Sequence, residues 1–131
     1  MVSTSKEEYL RTLFLLEERN QELSITNIAR HLRIAKPSVT EMMQALHREK
    51  LVAYKKYAKL AWTKRGKFLA NALTARHRII ESFLKDILHV PLKDIHAEAN
   101  VLEHAVSTNV LNRMRAVLGN PTKDPHGKVI P

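Results

Sequence analysis

The chain has 131 residues, with 22 Lys and Arg against 13 Asp and Glu, and no cysteine. That length is one domain, or two small ones sharing a core, and the missing thiols exclude a disulfide framework, a thiolate metal site and a cysteine nucleophile. The formal charge of +9 points to an anionic partner. No apolar run nears the roughly 18 residues that cross a bilayer, and no basic-then-apolar leader opens the chain, so a cytoplasmic protein with no membrane partner is expected.

In chain order, Ser5-Lys6-Glu7-Glu8 reads as a capping box. Tyr9, Leu10, Leu13, Phe14 and Leu16 then recur at helical spacing to about Asn20. Thr26 is the expected cap of a short second helix with Ile28, Ala29 and Leu32 inward. After a tight connection at Ile34-Ala35-Lys36, Pro37 suits the first turn of a third helix, whose stripe is Val39, Met42, Met43 and Leu46. Lys50 is the expected stop. Leu51–Tyr54 and Lys59–Thr63 read as two short strands joined by Lys55-Lys56-Tyr57-Ala58. From Lys64 to about Leu88 the pattern is helical again, and long enough to link two halves. Pro91 opens a further helix, Ser107 caps the last, and Gly119-Asn120-Pro121 ends it, leaving residues 119–131 as a tail. The expected domains are therefore 1–63, 64–118 and the tail.

Helix, helix-turn-helix and two-stranded ribbon, in that order, make a winged helix. Residues 1–67 hold 14 basic and 7 acidic side chains, so the excess charge lies with this reader. Its second helix of the pair would enter the major groove with N-terminal residues at base edges, here Lys36, Pro37, Ser38, Thr40, Glu41 and Gln44. The hydroxyls bond base edges or phosphates, Pro37 offers an apolar edge to a thymine methyl, and Gln44 suits adenine. Lys55, Lys56 and Lys59 on the wing would meet phosphates, adding affinity and salt dependence.

Five of the seven histidines lie in the second half. His77 and Glu81 are four apart on the long helix and share a face; His96, Asn100, Glu103 and His104 share a face of the next. So many polar groups facing one another are costly to bury unless something satisfies them. A divalent cation does so, and His with carboxylate suits Mn²⁺, Fe²⁺ or Zn²⁺. Three other readings stay open at this point. They are a winged-helix regulator sensing an organic ligand, a small metalloenzyme built on His77, Glu81 and His96, and a nonspecific architectural DNA binder.

These two constellations together resemble the iron- and manganese-dependent repressors of the diphtheria toxin repressor and manganese transport regulator type. Glu8-Tyr9-Leu10-Arg11-Thr12-Leu13 is similar to their first helix, and Ile28-Ala29-Arg30-His31-Leu32 with Pro37-Ser38-Val39-Thr40 to their reading motif. Arg76-His77-Arg78, Glu81 and Ile95–His104 are similar to their metal segment, and Pro125–Pro131 to the linker of the longer members. The resemblance implies a mainly α fold, with an N-terminal winged helix-turn-helix followed by an α-helical metal-binding and dimerisation domain. The expected form is the short one, without an SH3-like domain. It implies a homodimeric repressor of metal-uptake genes, not an enzyme, that binds a palindromic operator in double-stranded DNA when loaded with divalent metal, Mn²⁺ first. It also implies two ligand sets: His77, Glu81 and His96 as the ancillary one, and Glu8, Asn100, Glu103 and His104 as the activating one. Glu8 and Asn100 depart from the family, which carries Asp or Met at the first position and Glu or Cys at the second. A cation held by the first helix and the rear helices together would set two reading helices about one DNA turn apart, roughly 34–36 Å.

Overall fold

The computed structural model describes residues 4–55 and 59–131. The chain runs α1 (Thr4–Glu18), α2 (Ile25–Leu32), α3 (Lys36–Arg48), β1 (Val52–Ala53), β2 (Ala61–Trp62), α4 (Lys64–Asp86), α5 (Leu92–Glu103) and α6 (Thr108–Val117). The fold is mainly helical, and the strands form a two-stranded antiparallel sheet in which Val52 faces Trp62 and Ala53 faces Ala61. Two compact units result, residues 1–73 and 74–131, with α4 contributing to each.

In the first unit α2 packs against α1 and α3, and α3 against β1. Leu10, Leu13 and Leu16 from α1, Ile28 from α2, and Val39, Met43 and Leu46 from α3 close on Leu51, Val52 and Leu60 in one buried cluster. Their three-and-four spacing is the reason these segments are helices: each has one apolar stripe to hide. Lys67 ties the start of α4 back to this unit. Its ammonium pairs with Glu17 and lies 5.4 Å from the Phe14 ring and 5.8 Å from the Trp62 ring.

Several ends differ from the sequence reading. Ser5 lies within α1 rather than capping it. The cap of α2 is Ser24, whose Oγ accepts from the amide of Asn27 at 3.0 Å; its extended backbone (φ −140°, ψ 155°) aims the hydroxyl at that donor, whereas Thr26 is already helical. Pro37 does sit in the first turn of α3, and Lys50 follows its end with φ 62°. The strands are only two residues long. Of the expected turn, Lys56, Tyr57 and Ala58 lie outside the described residues. Thr63 caps α4 through a 3.0 Å bond from the amide of Gly66, and Ser107 caps α6 through a 3.2 Å bond from Val110.

In the second unit Ala75, Ile79, Ile80 and Leu84 of α4 pack with Ala99 of α5, Leu111 of α6 and Ile130 near the C-terminus. The last segment is folded. Asp124 is buried, and its Oδ1 accepts from the amides of His126 at 2.9 Å and Lys128 at 2.8 Å. Lys123 and Val129 form a bridge, and the buried Arg78 guanidinium donates to the carbonyl of Val129 at 2.5 Å. No helix among the described residues is long and apolar enough to cross a membrane.

Candidate metal centre and nucleic-acid interface

The second unit gathers its histidines and acids around His77. Helical spacing puts His77 and Glu81 one turn apart, and the ring Nε2 lies 3.0 Å from Glu81 Oε1. The other ring nitrogen, Nδ1, lies 2.6 Å from Oε2 of Glu103 on α5. All three residues are buried. The His96 ring stands edge-on to His77, with centroids 5.1 Å apart. One ligand atom from each of His77, Glu81 and His96 falls within 4.8 Å of the others, close enough for one cation to be shared among them.

Glu81 serves a second group as well. It lies with Asp124 and His126 in a cluster whose ligand atoms are again within 4.8 Å of one another, and its Oε2 is 3.7 Å from His126 Nδ1. That buried oxygen has no hydrogen-bond partner among the described residues, a costly arrangement in the absence of a compensating charge. Burial pushes the Glu81 carboxyl up, but the hydrogen bond to His77 and the charges of His77, His126 and His96 outweigh it and hold it below its ordinary value of 4.5. It is therefore an anion at neutral pH, with one oxygen toward each histidine group. Asp124 and His126 were missed by sequence reasoning. Their signal is an acid and a histidine two apart between Pro and Gly, a turn in which a carboxylate anchors the backbone.

The other four expected ligands are less gathered. Glu103 Oε1 is 3.4 Å from Nε2 of the adjacent His104, so this carboxylate faces His77 with one oxygen and His104 with the other. Asn100 is half-buried on α5, one turn before His104, and His96 and His104 are exposed. Glu8 is on α1 of the first unit, with an exposed side chain. The carboxylate and imidazole donors present fit a divalent first-row cation. The pairing of His77 Nδ1 with Glu103 also fits: a carboxylate behind a histidine fixes its tautomer and leaves the opposite nitrogen, here Nε2 beside Glu81, as the ligand atom.

In the first unit, α3 turns Val39, Met43 and Leu46 inward, and this leaves Lys36, Pro37, Ser38, Glu41 and Gln44 exposed and Thr40 half-buried. The residues expected at base edges thus form one solvent-facing surface. Lys55 and Lys59 are exposed; Lys56 lies outside the described residues. On α2, partial desolvation and the nearby Arg19 and Arg11 guanidinium groups lower the pKa of the largely exposed His31 from 6.5. A histidine whose folded value is depressed contributes stability above its unfolded pKa, and that contribution is lost as pH falls through the folded one. His31→Gln should therefore lose less stability than the parent between about pH 7 and about pH 5, read as urea midpoints; equal losses would refute this.

Residues 1–60 match the N-terminal DNA binding domain of the iron dependent repressors, and residues 63–131 match their metal binding and dimerisation domain. The chain is 36% identical over 125 residues to the iron-dependent repressor IdeR of Mycobacterium tuberculosis, covering 95% of this chain and 54% of that protein. It is 32% identical over 114 residues to the HTH-type transcriptional regulator MntR of Bacillus subtilis, covering 87% and 80%. The solved structure of the manganese regulator SloR is similar with a TM-score of 0.83 and 40% identity, over 96% of this chain and 59% of that one. The chain thus spans about half the length of IdeR. With both domain descriptions matched, over residues 1–60 and 63–131, the chain belongs to the iron dependent repressor family.

Proposed function

We propose that the chain is a metal-activated, homodimeric repressor of metal-uptake genes, a cytoplasmic regulator rather than an enzyme. It takes a divalent cation, Mn²⁺ first with Fe²⁺ and Zn²⁺ as alternatives, and in that state binds a palindromic operator in double-stranded DNA. The observation that carries this is the burial of Glu81 and Glu103 on opposite edges of one imidazole, His77. One ligand atom from each of His77, Glu81 and His96 lies within 4.8 Å of the others, and buried carboxylates gathered among imidazoles are the donor set that a divalent cation takes.

His77 Nε2, Glu81 and His96 would hold one ion, with Asp124 and His126 offering further donors on the other side of Glu81. Glu8, Asn100, Glu103 and His104 would make the second set. Asn100 brings a carbonyl oxygen but no charge, so this position should bind more weakly than it would with Glu. All the histidine ligands must be deprotonated, so uptake should weaken as pH falls toward roughly 6. The exposed residues of α3 would read the major groove, and Lys55, Lys56 and Lys59 would meet phosphates. Leu88, Leu92, Val101, Val110 and Val117 of the second unit are exposed, and this much uncovered aliphatic surface supports a dimer.

An anaerobic titration of metal followed by DNA binding tests the reading. Operator affinity should rise about 5–150-fold from chelator to saturating Mn²⁺, the range of a 1–3 kcal/mol coupling. Equal binding in the two conditions would leave no metal switch and favour a regulator with an organic ligand.

A further inference from the structure

One histidine on the reading helix has no part in the sites above. His47 lies in the last turn of α3 with an exposed side chain, yet its ring is held in place. Nδ1 is 3.2 Å from the backbone nitrogen of Tyr54 and 3.2 Å from the carbonyl oxygen of Val52. A single ring nitrogen serves only one of these at a time. The Tyr54 amide can only donate and is directed at Nδ1, so Nδ1 accepts from it and the proton of the neutral ring is assigned to Nε2. That leaves an N–H donor on the far edge of the ring.

The ring borders a cleft of about 520 Å³ lined by Thr40, Gln44, His47, Arg48 and Tyr54. Thr40, Gln44, His47 and Arg48 stand at successive helical-turn spacings on one face of α3, and Tyr54 follows the end of β1. Among the described residues, every lining side chain offers a donor, one is a permanent cation, and none is a carboxylate. Such a lining suits an anion. Thr40 and Gln44 belong to the stripe that faces base edges, so a strand passing them brings its backbone along the same face toward His47 and Arg48.

We propose that His47 donates from Nε2 to a phosphodiester of the bound duplex, with the wing backbone holding the ring in the tautomer and orientation this needs. His47 is thus both a backbone contact and the link that sets the base of the wing against the reading helix. The inference rests on the DNA-binding reading and adds to it a phosphate site at the junction of α3 and β1.

The test uses the full chain with saturating Mn²⁺, a duplex that the parent chain selects from a random pool, and a scrambled duplex. His47→Asn keeps an acceptor near Nδ1 and loses the outer donor. It should weaken both duplexes by about 10-fold, the scale of one hydrogen bond to a charged group, since phosphate contacts act without regard to sequence. His47→Gln places an amide N–H near Nε2 and should recover most of that loss, while Tyr54 amide exchange becomes fast in Gln and stays slow in Asn. Unchanged affinity in the Asn chain overturns the proposal. So does a His47 resonance shift with inorganic phosphate alone alongside unchanged duplex affinity, which would assign the cleft to a free anion. A parent chain that binds no duplex in Mn²⁺ would instead overturn the repressor reading.

Discussion

Replacing Gly66 with alanine should destabilise the first unit by about 3 kcal/mol or more, at or above the upper end of ordinary overpacking. A Cβ at this position would lie 2.7 Å from the carbonyl carbon of Leu51 and would overlap its oxygen. Both are backbone atoms, so no side-chain rotation relieves the clash. The surrounding bonds resist any shift. The Thr63 amide donates to the same Leu51 oxygen at 3.3 Å, Thr63 Oγ1 donates to the Lys50 carbonyl at 2.7 Å, and the Arg65 guanidinium donates to the Glu49 carbonyl at 3.0 Å. The first turn of α4 is thereby fastened to the entry of β1, and the methyl group must break that fastening or distort the helix. Denaturant unfolding of the full chain checks this; a variant as stable as the parent would mean the two backbones do not approach so closely.

The second large effect is expected at Glu81. Glu81→Gln preserves the shape of the side chain and removes its charge. Mn²⁺ affinity measured by calorimetry should fall about 100-fold or more, since loss of an outer-shell partner alone costs roughly 10–100-fold and Glu81 faces both His77 and the Asp124–His126 turn. At a metal concentration about 100-fold above the parent's Kd, the same variant should lose most of the rise in melting temperature that metal gives the parent chain, because a ligand stabilises the folded state by RT ln(1 + [L]/Kd). The chain should stay folded in chelator, where the neutral amide removes one of the three buried carboxylate charges of Glu81, Glu103 and Asp124. A Gln variant that binds Mn²⁺ as tightly as the parent would show that this carboxylate is not a ligand.

The helices were legible because each hides one stripe: Leu10, Leu13 and Leu16 announce α1, and Val39, Met43 and Leu46 announce α3, at spacings no strand would use. His77 and Glu81 were legible for the same reason. Helix ends were less so. Ser24 and Thr26 are both competent caps, and only the extended backbone at Ser24 decides between them. The strands read longer than they are because β-branched and aromatic residues around Tyr54 and Trp62 suggest a ladder, whereas the Tyr54 amide bonds the ring of His47 instead. Asp124 and His126 escaped notice because nothing periodic links them to Glu81. They are distant in sequence, in a stretch rich in Pro and Gly, and reach that carboxylate only through tertiary folding of the last segment onto α4.

The pinning of His77 has a kinetic side. A ring anchored on one edge by Glu103 is not free to swing, so were it to take the proposed cation, its rotational entropy would be surrendered during folding rather than at capture. Uptake would then have little reorganisation to await, and discrimination between ions would fall on their radius and preferred geometry, which a stiff pair of donors accommodates poorly when mismatched.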